Sequence, residues 1–570
     1  MTLFRRALIG LATSAAVVAS TAGVSAASTL TVAKKSNAPH NLLLKQLLSL
    51  SEHDQPDSPA LSALCQNFVG KPNPYAPPGP NVGEIRGDTI VQVGSQTGCS
   101  SAQNETTIAV NPENPRNLVA GTNDYRLYNS REDRNDAAGF AYTTFNGGKT
   151  WTDVQLPHLT FQTGATGALS YMDSAGDPVV SFGPHNTVYY GNILFSRAAP
   201  ASGGSQAASA LAVSVSHDGG KRWGEPVVVR LDGVDSAGTA TPTNYFNDKI
   251  WLAADKTSGR VYVTWTRFTY DADGNYLESP IVAAASHNYG RSFAGYRRVD
   301  VPHSSSDRQS LVPYSQGSNP QVARDGTLYV AYEGSVCVSL ACDQPTDRDV
   351  TVVARSGDHG RTFSRAVVGT NYDFPFNEAL GTLTLTGENF RINAYPQLAY
   401  DQARNLLVVT WSDDRNGSYD ATTGESVRTN GDNIVSSSPD GRHWSAPAAI
   451  GTPQDEVFAA VAAQAGVVAV TSYTRHYNPS GINLDYAYWT DGARSGSPIH
   501  RITTQSSSPR IQFVGVNDEG ATVQGVFIGD YSAAALGRDL RLHPSWTDFR
   551  GRPGVTGPNQ DAYTQAIQLH

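Results

Sequence analysis

The chain has 570 residues, 39% hydrophobic and 16% charged, with a formal net charge of −9. A pI near 5.8 argues against nucleic acid or an anionic membrane as partner, because both attract basic surfaces. The length admits several domains or one closed array of repeats.

Residues 1–26 carry the three regions of a secretory signal. Arg5 and Arg6 supply the positive end, Ala7 to Val18 the apolar run, and Val24-Ser25-Ala26 a small-residue cleavage site. The run is too short for a membrane span, and no later stretch reaches the ~18 apolar residues that one needs. An extracellular, secreted chain is therefore expected, most simply a monomer. Residues 27–88 read as a Pro-rich extension with one short amphipathic helix, Leu42 to Leu50, and no catalytic role. Four cysteines in an exported chain suggest two disulfides. Proximity pairs Cys337 with Cys342 and leaves Cys65 with Cys99.

From 89 to 570 the sequence becomes short alternating strands broken by Gly, Asn, Asp and Pro, an all-β pattern. One stretch recurs: TFNGGKTW (Thr144 to Trp151), SHDGGKRW (Ser216 to Trp223), SHNYGRSF (Ser286 to Phe293), SGDHGRTF (Ser356 to Phe363) and SSPDGRHW (Ser437 to Trp444). A spacing of this regularity marks repeated supersecondary units. Apolar second strands such as Arg260 to Trp265, Thr327 to Tyr332, Asn405 to Trp411 and Asp539 to Trp546 extend the count to seven units. The seventh lacks a fourth strand after Ala562 to Leu569, and Thr89 to Gly94 precedes the first unit without a partner. Pairing the two would close the array and remove its exposed edges.

The recurrent stretch resembles the Asp-box, S-x-D-x-G-x-x-W, of the sialidase superfamily, a turn between the outer strands of a β-propeller blade. Asn146 and Asn288 replace the aspartate, and Pro439 stands at its place in the last copy with Asp440 one residue later. The resemblance implies a β-propeller; the count of units makes it seven four-stranded blades, a departure from the six of sialidase catalytic domains, which stay the alternative count. On such a ring the boxes mark one face. Ligands are expected on the other, where loops entering the first strand and leaving the second surround the axis.

Residues on that face include Glu105, Asp124, Arg126, Asp248, Arg267, Glu333, Arg391, Tyr395, Arg415, Arg475, Tyr531 and Arg550. Repeated Asp-x-Arg units, as in Asp413 to Arg415 and Asp548 to Arg550, also suit ion pairs between blades. Residues that break the ring's symmetry, namely Glu105, Glu333, Arg391 and Tyr395, are the better functional candidates. Sialidases hold a substrate carboxylate with three arginines and use a tyrosine nucleophile, a glutamate base and an aspartate acid. Phe390-Arg391-Ile392-Asn393 resembles the Phe/Tyr-Arg-Ile-Pro element bearing the first arginine. Resemblance thus implies Arg391 with two of Arg126, Arg267, Arg415, Arg475 and Arg550 as the clamp. It implies Tyr395 or Tyr531 as nucleophile, Glu105 or Glu333 as its base, and Asp248 or Asp124 as acid.

No G-x-S-x-G, P-loop, dinucleotide fingerprint or H-E-x-x-H occurs, and the histidines lack zinc-ligand spacing. Asp271-Ala-Asp273-Gly-Asn275 with Glu278 has the oxygens of a calcium loop, but the glutamate comes too early for an EF-hand; a hairpin tip fits it better. No cofactor or metal is expected beyond that loop. The expected activity is an exo-glycosidase on acidic, sialic acid- or uronate-bearing glycans. A polysaccharide lyase and a non-catalytic glycan- or protein-binding propeller are the alternatives.

Overall fold

The computed structural model describes residues 34–39, 41–50, 80–85, 92–93, 96–97 and 102–570, less 133, 301–309, 379, 480, 491–496, 510–513, 517–521, 525–526 and 551–559. The expected signal segment, Cys65 and Cys99 lie outside the described residues.

Within them the protein is nearly all-β, with one α-helix, α1 (Leu43–Leu50), and two 3-10 turns, Phe161–Thr163 and Gly167–Tyr171. Seven antiparallel sheets follow one another along the chain, each with four strands on its main path. The first runs Gln103–Val110, Leu118–Asn129, Arg134–Thr144 and Thr152–Gln155. Later sheets begin at Ser174–Phe182, Tyr245–Ala254, Ser310–Val322, Gln397–Asp401, Glu456–Gln464 and Ala533–Leu536. Each of these first strands packs against the first strand of the next sheet, and the seventh packs back on the first.

This stacking explains the near-continuous apolar runs of the second strands. Val261–Tyr270 is buried on both faces because another sheet lies on each side. Second strands also place the indoles of Trp265, Trp411 and Trp546 in the core. Their N–H groups donate to Asn247 Oδ1, Asp413 Oδ2 and Asp548 Oδ2, each at 3.0 Å. The same two aspartates hold Arg415 and Arg550 at 2.7 Å. Asp-x-Arg at a strand end is therefore a latch that answers a buried tryptophan and an arginine together.

The five recurrent stretches are turns between third and fourth strands. Asp218 Oδ1 accepts from the backbone of Lys221 (3.1 Å) and Arg222 (3.0 Å), and Ser216 Oγ accepts from Gly220 N (2.9 Å). Asn146 Oδ1 does the same for Lys149 and Thr150, at 3.1 and 3.0 Å. The turn needs a side-chain oxygen rather than a charge, so asparagine serves. In the fifth copy Ser438, one residue later than the aligned Ser437, bonds Asp440 at 3.1 Å and restores the phase.

Of Thr89 to Gly94, expected as the fourth strand of the seventh sheet, only Gln92 and Val93 lie among the described residues, and another segment takes that place. Val82–Gly83 pairs with Asp561–Thr564, through Val82↔Thr564 and Gly83↔Tyr563. Glu84 N donates to Ala562 O at 3.0 Å, and Ile85 and Val82 join the apolar cluster around Phe140 and Trp151. Apolar residues at both ends of the shorter segment select it, whereas Gln92–Val93 forms a small hairpin with Gln96–Thr97.

The described parts of the extension set apart at 27–88 pack on the body. Lys34–Ser36 pairs with Ser418–Asp420. Leu43 and Leu47 of α1 are buried against Phe268, Tyr270, Val312 and Tyr314. The helix start is held by carboxyl groups of the ring: Leu42 N donates to Asp373 Oδ2 (3.1 Å) and Leu43 N to Asp349 Oδ2 (2.8 Å). The adjacent Cys337–Cys342 disulfide, as the spacing predicts, closes a small loop with sulfurs 2.05 Å apart.

Candidate functional site

Five first strands share one backbone irregularity. A residue with positive φ sits there: Glu105 (54°), Asp177 (47°), Lys249 (51°), Gly317 (67°) and Phe458 (56°); Gly529 (98°) lies ahead of the strand Ala533–Leu536. In each of the five the pairing register slips at that point, as β-bulges do. A bulge turns the side chain out of the strand's alternation. Non-glycine residues in this region cost about 1–3 kcal/mol each, and such strain collects at functional sites.

Three bulge residues, Glu105, Asp177 and Lys249, meet. Lys249 Nζ lies 2.8 Å from Glu105 Oε1, 3.5 Å from Asp177 Oδ2 and 2.6 Å from Asp530 Oδ2. Asp530, next to the positive-φ Gly529, is gripped from its other side by Arg391, whose Nε and Nη2 donate at 2.8 and 2.6 Å. Glu105 Oε2 accepts from Asn123 Nδ2 at 3.0 Å, and Glu105 Oε1 from Asp530 N at 3.2 Å. Asp248 accepts from Gln316 Nε2 at 3.0 Å.

Four carboxyl groups thus share two cations, and burial sorts their protons. Desolvation, then the Glu105 charge, lifts the Asp177 carboxyl well above its ordinary range, and Asp177 shares a hydrogen bond with Glu105. Asp248 is also raised by burial, with the Lys249 charge opposing. Against burial, Arg391 and Lys249 hold Asp530 down at about 2. Burial thus raises Asp177 and Asp248 while the two cations hold Asp530 down, so neighbouring carboxyl groups are pushed apart in proton affinity.

A cavity of about 340 Å³ opens onto this cluster. Asp177, Asp248, Lys249 and Arg391 line it, with Phe195, Phe246 and Phe527 on its walls. Glu105 also borders it but is fully buried. Phe268 and Tyr270 line it too and carry α1 on their far side.

The expected site residues divide on this geometry. Glu105, Asp248 and Arg391 come together at the cavity. Tyr395 and Tyr531 line a narrower pocket beside it. Tyr531 Oη donates to Pro178 O at 3.3 Å and its ring meets Trp251 edge-on at 5.0 Å. Burial raises both phenols well above their ordinary range, with Asp530 adding to Tyr395 and Glu105 to Tyr531. A nucleophilic phenol needs the opposite shift. Among the described residues no hydrogen bond joins either hydroxyl to Glu105 or Glu333.

Glu333 sits elsewhere, bonded by Asn371 Nδ2 at 3.0 Å and raised to about 8 by burial and the Asp349 charge. The expected arginine clamp does not assemble. Arg126 pairs with Asp124 (2.6 Å) and Asp153 (2.7 Å), and Arg267 with Asp232 (2.6 Å). Arg415 and Arg550 are in their latches, and Arg475 binds Glu388 (2.7 Å) and Asp455 (2.8 Å). Each of these guanidiniums is engaged by carboxylates beside it, so they do not converge on one point. In the loop from Asp271, Oδ1 accepts from Asp273 N and Asn275 N at 2.9 Å, the bonding of a hairpin tip.

Sequence reasoning missed Asp177, Lys249 and Asp530 as site residues. Aligning first strands by the place where their alternation breaks, rather than aligning boxes, was the signal that could find them.

No protein-family model and no curated protein matches the chain. Among solved structures it is similar to a Hadza microbial sialidase at 12% identity, covering 80% of this chain and 73% of that one, with a TM-score of 0.39. It is similar to an α-L-arabinanase of Penicillium chrysogenum complexed with arabinobiose (12% identity, 74% and 93% covered, TM-score 0.38). An ulvan lyase is a further match, at 9% identity, 82% and 95% covered, and a TM-score of 0.42.

Proposed function

We propose that the chain is an exported seven-bladed propeller, closed by its N- and C-terminal segments, that hydrolyses a glycosidic bond in the Asp177–Asp248 cavity. The export reading rests on residues 1–26, and the ring on seven sheets whose first strands stack in a cycle. The observation that carries the chemistry is the pair of carboxyl groups facing one cavity with unlike environments.

Hydrolysis of a glycoside needs a proton donor for the leaving oxygen and a second carboxylate on the other side of the anomeric carbon. Asp177, whose carboxyl is lifted well above its ordinary range by burial and by Glu105, is the donor. Asp248 is the second group; Lys249 and the Gln316 amide support its anion. Glu105 is fully buried, so it acts through Asp177 and Lys249 as a positioning residue. A sialidase mechanism fits less well, because its arginines are engaged and its tyrosines are shifted the wrong way. A lyase using the cavity's Tyr125 or Tyr270 as base meets the same objection: burial raises both phenols.

Release of reducing sugar from a glycan panel tests the reading. Asp177→Asn and Asp248→Asn should each lower the rate about 10²–10⁴-fold with folding intact. Wild-type turnover that survives both substitutions would sink it.

A further inference from the structure

The charges around the cavity restrict the sugar it can hold. Arg197, Lys249 and Arg391 are the cations on its lining. Arg197 is forked onto Asp136, Nη2 to Oδ1 at 2.7 Å and Nε to Oδ2 at 3.2 Å. Lys249 is shared by Glu105, Asp177 and Asp530, and Arg391 is forked onto Asp530. Five carboxyl groups (Glu105, Asp136, Asp177, Asp248 and Asp530) thus face three cations. The carboxyl groups outnumber the cations, and each cation is already held by at least one of them, so none is left over for an arriving carboxylate. A carboxylate brought to about 4 Å from an unmatched anion of this cluster would lose on the order of a thousandfold in affinity at an effective dielectric of about 20.

The walls offer a different attraction. Phe195 and Phe246 are only partly buried, with rings 6.3 Å apart at 61°. Such faces suit the C–H side of a pyranose or furanose ring, and the carboxyl groups on the floor suit its hydroxyls.

We infer that the cavity binds an uncharged glycan unit, its ring against Phe195 and Phe246 and its hydroxyls on Asp177 and Asp248, and that it rejects sialic acid and uronates. This rests on the reading of the cavity as the glycan site, and it reverses the acidic-glycan expectation drawn from resemblance.

Calorimetric titration of the full chain carrying Asp177→Asn, which removes the proposed proton donor and so stops turnover, tests it. The probes are arabinobiose, xylobiose and cellobiose on one side and sialyllactose and digalacturonate on the other. At least one neutral probe should bind, at least about a hundredfold more tightly than either acidic probe. Its affinity should be unchanged between about 0.05 and 0.5 M salt. Phe246→Ala should weaken it about tenfold with an unaltered circular dichroism spectrum. Tighter binding of either acidic probe, or binding of no neutral probe, overturns the inference. A neutral probe that binds but is never cleaved by the wild type leaves the inference standing and removes the hydrolase. An acidic glycan cleaved by the wild type but not by the Asp177→Asn variant does the reverse.

Discussion

Lys249→Met is the sharpest perturbation of the proposed centre. Lys249 Nζ bonds Glu105 at 2.8 Å and Asp530 at 2.6 Å, and its side chain is only 8% exposed. Removing one partner from a buried ion pair costs about 3–5 kcal/mol, because the other charge stays behind without compensation. Asp530 keeps both bonds from Arg391, so Glu105 is the group left stranded. Glu105 retains Asn123 Nδ2 at 3.0 Å and Asp530 N at 3.2 Å, which places the expected loss at the lower end, about 3 kcal/mol. Urea unfolding followed by tryptophan fluorescence reads it. At pH 7.5 the variant's midpoint should fall markedly. At pH 4.5 the gap should narrow, because a stranded carboxyl can take up a solvent proton instead of remaining a buried charge. A loss under about 1 kcal/mol, or an equal loss at both pH values, would refute the centre as an electrostatic unit.

The pH profile of stability follows from carboxyl groups elsewhere. Burial lifts Glu84, Glu333, Asp414 and Glu456 to about 8, and Asp349 to about 7. Each binds its proton more tightly folded than unfolded, so its contribution is full below the ordinary carboxylate range and is lost as pH rises through 7–8. Asp218 and Asp530, held near 2, act with the opposite sign only below their ordinary value of 3.8. The melting temperature should therefore be higher at pH 5 than at pH 8.5, and a scan that rises with pH would contradict the assignment. The rate of glycan hydrolysis should fall on the alkaline side at a pH above the ordinary carboxyl range, set by Asp177, and a limb unmoved in Glu105→Gln would argue against their coupling. Gly317→Ala should cost about 2–5 kcal/mol, since its Cβ would lie 2.4 Å from Tyr395 Cγ at φ +67°. A variant within 1 kcal/mol of wild type by urea midpoint would mean that the ring at Tyr395 yields freely.

What could be read from the sequence depended on how local its cause was. The turns at Thr144, Ser216, Ser286 and Ser356 are closed by bonds within four residues, so their residues announce them. The all-β class was legible too, because buried second strands leave apolar runs. The Cys337–Cys342 pair is equally local. The strand that pairs with Asp561–Thr564 was misplaced, since Val82–Gly83 is a two-residue strand whose neighbourhood is set by tertiary packing of Val82 and Ile85. Docking of α1 was invisible, because Asp349 and Asp373 lie about 300 residues from the amides they accept. Arginines and tyrosines near the axis were placed on the expected face, but whether a guanidinium is open depends on a carboxylate's rotamer, and no spacing states that.

The reasoning that catalytic residues break a ring's symmetry needs one refinement. The symmetric feature here is the backbone bulge, and the asymmetric feature is what each bulge carries. Gly317 and Gly529 adopt the left-handed region without penalty, while Glu105, Asp177 and Lys249 each bear about 1–3 kcal/mol of it. Phe458 bears the same strain and buries an aromatic ring in the core cluster around Trp546 and Tyr473, so packing offsets it. For the three charged residues the compensation is polar: they bond one another, Lys249 to Glu105, Lys249 to Asp177 and Asp177 to Glu105, and Asp530 and Asn123 bond them in turn. Strain and ionic contact therefore sustain each other. The bulges aim three adjacent side chains at one point, and the charges gathered there hold the bulges in a conformation that glycine would adopt more easily. A single substitution in this trio releases both, which is why the centre should respond as one unit rather than as three separate pairs.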